Sequence, residues 1–179
     1  MSKFKELCNS FTSFRAVYSQ SRDNSICFSK KLVLNYKEYL EISEKDYKLI
    51  PLEDEVKQNA EYTPFGASHL GDDGYWHMGF ALTVYKDINL YPKQEFLIHF
   101  KFIRYEDGKY SLGVDGLKKE SVITDINNKN EFNIIFEEIQ NSILEYHETG
   151  INFLYGKNSK MPSIGFVQGN MANTLNEDK

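Results

Sequence analysis

The 179 residues carry a formal net charge of −5, a pI near 5.4 and a 41% hydrophobic share that includes 13 Phe, 12 Tyr and one Trp. A chain of this length fits one hydrophobic core, and so many aromatics exclude extensive disorder. The acidic balance, with 18 Lys but only Arg15, Arg22 and Arg104, argues against nucleic acid as a partner, and no stretch is long and apolar enough for a membrane span.

The opening "MSKFKELCNSF" lacks the apolar centre of a secretory leader, so a cytoplasmic protein with reduced thiols is expected. Cys8 and Cys27 form no CxxC pair and read as small core residues. Phe4, Leu7, Phe11 and Phe14 repeat at spacings of three and four, which predicts a first helix ending before the polar run "SQSRDNS". Leu32, Tyr36, Tyr39 and Leu40 predict a second helix, with Ser29 able to cap its start; the alternation in "KLVLNY" leaves a strand open there. A short strand is expected before Pro51, then an acidic loop containing Glu53-Asp54-Glu55, and Pro64 argues against a central strand at its position.

From Gly74 the period changes to two. Trp76, Met78, Phe80, Leu82 and Val84 share one strand face, with His77, Gly79, Ala81, Thr83 and Tyr85 on the other. After "DINLYPK", read as a turn, Phe96, Ile98, Phe100 and Phe102 alternate with Leu97, His99, Lys101 and Ile103. "EDG" and Asp115-Gly116 mark two further turns around "KYSLGVDG", and "LKKESVIT" offers a fourth strand. Connections this short predict antiparallel pairing. Phe132, Ile135, Phe136, Ile139, Ile143 and Tyr146 then make the strongest amphipathic helix, capped by Asn128 or Asn130 and closed near Gly150. The expectation is an α+β fold: an antiparallel meander of about four or five strands packed on N-terminal helices and one long C-terminal helix. One domain over 1–155 and a loosely ordered tail over 156–179 complete it.

Four side chains near residue 73 are chemically versatile. His69, Asp72, Asp73 and His77 have the ligand types for zinc, iron or manganese, or for acid–base work. Their spacing matches no helical metal motif, and "GDDG" equally suits a tight turn, because Asp bonds nearby backbone and Gly permits positive φ. Ser68-His69 lacks a nucleophile elbow, and "GVDGLKK" lacks phosphate-loop spacing. The aromatics flanking Lys101 would suit nucleic-acid stacking only in a more basic chain. No cofactor is expected. The leading expectation is a non-enzymatic protein-binding or adaptor domain that self-associates, with Trp76, Tyr85, His99 and Lys101 as binding residues. The alternative is a small metal-dependent or acid–base hydrolase using His69, Asp72, Asp73 and His77.

Overall fold

The computed structural model describes residues 2–52, 60–87, 90–158, 160 and 167–168. Helix α1 spans Lys3–Leu40 and α2 spans Lys129–Leu154. Between them run β1 (Tyr47–Ile50), β2 (Ser68–Leu70), β3 (Trp76–Asp87), β4 (Leu90–Arg104), β5 (Tyr110–Val114) and β6 (Ser121–Ile123); β7 (Val167–Gln168) follows α2. The sheet is antiparallel at every described pairing, in the order β1-β3-β4-β5-β6, with β2 also on β3 and β7 also on β4. The expected α+β architecture is present.

The β3–β4 hairpin is the spine. Its register pairs Trp76 with Phe102, Met78 with Phe100 and Phe80 with Ile98, so the two alternating apolar rows fall on one face. That inner face packs against the C-terminal half of α1 and against α2, and one cluster joins Phe28, Leu32 and Tyr36 to Phe80, Phe100, Phe102, Phe132 and Phe136. Phe28 is its hub. Its ring stacks on Tyr110 with centroids 4.3 Å apart and lies 4.8 Å from Phe102 and 5.7 Å from Phe132.

Several expectations are corrected. The two N-terminal helices are one. "SQSRDNS" does not end α1, because Ser25 folds its hydroxyl back to the Arg22 carbonyl at 2.7 Å and Ser21 accepts from Trp76 Nε1 at 3.3 Å. Local and tertiary bonds thus override weak helix propensity. Ser29 caps nothing; it is buried mid-helix, its hydroxyl on the Ile26 carbonyl at 3.2 Å. Cys8 and Cys27 are exposed free thiols, not core residues. Phe4, Leu7, Phe11 and Phe14 are exposed as well.

"DINLYPK" is largely strand. Pairing resumes at Asp87 with Leu90 after an irregularity beyond Tyr85, close to where Pro92 can donate no backbone hydrogen bond. β1 is the strand expected before Pro51, whereas β2 had no sequence signal of its own. Asn128 caps α2 as expected, accepting from the Asn130 amide at 3.2 Å. Gly150 does not close it. The helix runs on to Leu154, and Gly156 at φ +71° supplies the left-handed turn. The acidic run Glu53-Asp54-Glu55 lies outside the described residues, as does most of the tail expected over 156–179; of that tail, Val167 and Gln168 pair with Leu97 and Phe96.

Phe28 is fully buried against three rings, so Phe28→Ala opens a cavity that this aromatic cage cannot refill. The expected loss is about 3–5 kcal/mol, read from urea unfolding midpoints at an unchanged slope.

Candidate functional site

The face of the sheet turned away from the helices carries the chemistry. The turn between β2 and β3 is built by backbone. Gly71 donates to Tyr75 O at 2.8 Å, Gly74 donates to Gly71 O at 3.1 Å, and Gly74 takes φ +82°. Asp73 accepts from the Tyr75 amide at 3.0 Å, as an Asp in a tight turn does. Its Oδ1 also meets His77 Nε2 at 2.9 Å. The turn therefore aims a carboxylate at the first outward residue of β3. A side chain at Gly71 would collide there, since a Cβ would sit 2.7 Å from His77 Nε2.

From His77 the contacts cross the sheet. His77 Nδ1 lies 3.0 Å from His99 Nε2, and His99 Nδ1 lies 2.7 Å from Asp115 Oδ2. The result is a linear chain, Asp73–His77–His99–Asp115, that runs from the β2–β3 turn across β3 and β4 to the residue after β5, with hydrogen bonds at its first two links and an ion-pair contact at its third. The His77 side chain is only 13% exposed and that of His99 29%, although they stand on the uncovered face. Hydrogen bonding from His77 holds the Asp73 carboxyl below its ordinary range. Burial pushes the His99 imidazole down, with Asp115 pulling back and His77 and His69 adding to the depression.

A second branch lies beside the first. Glu120 accepts from the buried Ser111 hydroxyl, from Tyr75 at 3.2 Å and from Lys101 at 3.0 Å, and the Lys101 ammonium sits 5.1 Å from the centre of the Tyr75 ring. Gly113 lets Lys101 and Glu120 lie flat over β5, because a Cβ there would meet Lys101 Cε at 2.9 Å. Burial, then the hydrogen bond to Tyr105, raises the Tyr75 phenol to about 12.

Of the four residues expected to gather near position 73, three do. His69 pairs with His77 in register, their rings stacked 5.4 Å apart, and its buried Nδ1 has no hydrogen-bond partner among the described residues. Asp72 is exposed and is not among the contacts that link Asp73, His77, His99 and Asp115. Both ring nitrogens of His77 are engaged, and among the described residues no group of three or more His, Cys, Asp or Glu side chains is arranged to hold a metal ion. Of the expected binding residues, His99 and Lys101 join the outer network, but Trp76 is 5% exposed and belongs to the inner core. Tyr85 edges a separate shallow pocket of about 240 Å³ beside Lys93, Gln94 and His147.

Asp115, Glu120, Tyr75 and Ser111 were not anticipated. For Asp115 a signal existed: the turn at 106–108 sets a register that pairs Phe100 with Val114, which brings Asp115 opposite His99. No family model, curated protein or solved structure matches this chain. No helix among the described residues is long and apolar enough to cross a membrane.

Hydrogen bonding from Ser111, then from Lys101 and Tyr75, holds Glu120 below its ordinary value of 4.5 against the opposing effect of burial. A depressed carboxyl contributes stability that is complete above the unfolded-state value and is lost as pH falls through the folded one. Glu120→Ala is expected to cost about 1–3 kcal/mol at neutral pH by stranding the Ser111 hydroxyl, and to flatten the acid limb of a stability–pH curve measured in urea.

Proposed function

We propose that this chain is a self-associating protein-binding module that pairs with a second copy of itself through the first half of α1. One observation carries the reading. Every residue from 2 to 17 is exposed, and Phe4, Leu7, Phe11, Phe14 and Val17 on this helix are between 63% and 75% exposed. A contiguous apolar stripe of this kind marks an interaction surface. The segment is also a poor helix on its own: Asn9, Ser10, Thr12 and Ser13 have weak propensity, and the Thr12 and Ser13 hydroxyls bond back to the carbonyls of Cys8 and Asn9. Isolated helices of this length are marginal in water, so a covering partner supplies what the body of the protein does not.

Three features favour a second copy. Five side chains at this exposure present roughly 600 Å² of largely apolar surface, and two copies would hide roughly 1,200 Å², the lower bound for a stable interface. The stripe is in line with Ser25, Phe28, Leu32 and Tyr36, which face the chain's own core, so a parallel partner would drive its body into the first. An antiparallel partner avoids this, with a two-fold axis near Phe11 and the two bodies at opposite ends of the pair. Charge agrees. Residues 1–24 hold Lys3, Lys5, Arg15 and Arg22 against Glu6 and Asp23, hence +2, which leaves −7 on the remainder; the basic tip of each helix would approach the acidic body of the other.

Sedimentation across a wide concentration range tests this. The intact chain is expected to dimerise, and Phe11→Asp to be monomeric with the thermal midpoint of the body retained. With Cys8 and Cys27 replaced by Ser, Phe11→Cys is expected to cross-link to its own copy on oxidation. A chain that stays monomeric at all concentrations, or a dimer indifferent to Phe11→Asp, overturns the reading.

The Asp73–His77–His99–Asp115 chain favours a second reading, a hydrolase of the acid–base type. It expects hydrolysis of a small ester panel, lost in His77→Gln. The same rate in both proteins removes it.

A further inference from the structure

We propose that the hollow where β3 and β4 fall out of step is a binding site for a small organic carboxylate. The two strands pair without a break from Trp76–Phe102 to Tyr85–Lys93, and pair again at Asp87–Leu90. Between those pairs β3 has one residue, Lys86, and β4 has two, Tyr91 and Pro92, so β4 carries a bulge. A bulge bends its strand, sharpens the local twist and re-aims side chains. Here it accompanies a hollow of about 240 Å³, lined by Val84 and Gln94 from the inner row of the hairpin and by Tyr85 and Lys93 from the outer one. His147 of α2 forms a further wall.

The lining combines cations with apolar surface. Lys86 and Lys93 are exposed, and neither is in an ion pair among the described residues. The Lys93 ammonium stands 5.6 Å from the centre of the Tyr91 ring, a contact that leaves its charge uncompensated. No carboxylate is among the described lining residues, although the chain as a whole is at −5. Two uncompensated ammonium groups around one hollow attract an anion. Gln94 adds a donor. Its Oε1 meets His147 Nε2 at 3.0 Å, and a carbonyl oxygen only accepts, so the imidazole donates there. The Gln94 Nε2 is buried with no acceptor among the described residues, and a ligand oxygen seated against Gln94 supplies one.

Size and wall select the body of the anion. A volume of about 240 Å³ lies below the range of drug-sized pockets, so the occupant has roughly ten heavy atoms or fewer. The apolar surface of Val84, Pro92 and the Tyr85 ring would lie idle against an inorganic anion. It covers the aliphatic or aromatic body of an acid whose carboxylate faces the lysines. Lysines act as point charges and do not demand the bidentate fit of arginine, which suits a carboxylate held in an open hollow. Neither the first half of α1 nor the imidazole chain contributes to this lining, so the site is independent of both readings above.

NMR of the full chain tests this, with sodium benzoate, benzamide and sodium phosphate titrated separately at constant ionic strength. Benzoate is expected to shift the Tyr85, Lys86, Lys93, Gln94 and His147 signals along one saturable curve, with a Kd of about 0.1–10 mM for so few heavy atoms. Benzamide keeps the ring and loses the charge; phosphate keeps the charge and loses the ring. Each is expected to bind at least ~10-fold more weakly than benzoate, because each forfeits one of the two contributions. Lys86→Gln combined with Lys93→Gln changes two exposed side chains, so the thermal midpoint is expected to hold while benzoate binding weakens at least ~10-fold. The benzamide and phosphate arms need no variant. No saturable shift at these residues, benzamide or phosphate binding as tightly as benzoate, or a double variant that binds benzoate like the parent overturns the proposal.

Discussion

Strict alternation along β3 and β4 is the constraint on which the molecule depends. Phe80, Phe96, Ile98 and Phe100 are fully buried beneath the helices, so the residues between them have no choice of face. A slip of one residue in the hairpin would turn this row to water and bring His77, His99 and Lys101 into an apolar core, at a cost of several kcal/mol for each buried polar or charged group. The packing that stabilises the inner face therefore also sets the register that assembles the outer one. His77 and His99 meet diagonally because the hairpin pairs Gly79, not His77, with His99.

α1 is one helix in two environments. Its second half contributes Phe28, Leu32, Val33 and Tyr36 to the core, while its first half continues the same face into solvent. Periodicity records only that a face is apolar; it does not say what covers it. The sequence pattern is accordingly equally strong at Phe4–Phe14, which no described residue covers, and at Leu32–Tyr36, which the sheet and α2 bury.

That limit explains what could be read in advance. The hairpin, the alternating faces and α2 were legible, because period-two and period-3.6 patterns persisted over many residues with turn signals between them. The unity of α1 was not: Ser21, Asp23, Asn24 and Ser25 read as a break, and only the tertiary bond from Trp76 and the back-bonding of Ser25 show why the helix continues. At the outer face, residue types near position 73 drew attention, but the partners that matter are distant in sequence. Asp115 and Glu120 lie in stretches that read as a turn and as a plain strand, and their roles emerge only once register brings β5 and the segment before β6 beside β4.

The two surfaces lie on opposite sides of one sheet, and this bears on whether they can influence each other. α1 touches the inner face; the imidazole chain occupies the outer. The connection between them is Trp76, whose ring is buried beneath the helix and donates to Ser21 Oγ where α1 enters the body, and whose neighbour His77 begins the chain on the other side. A strand transmits little along its length while its pairing holds, and Trp76 is fixed by its pairing with both Leu70 and Phe102. The turn over 71–75 lies outside those pairings. A change at the outer face is therefore physically separable from a change along α1, because the paired strands between them hold their register.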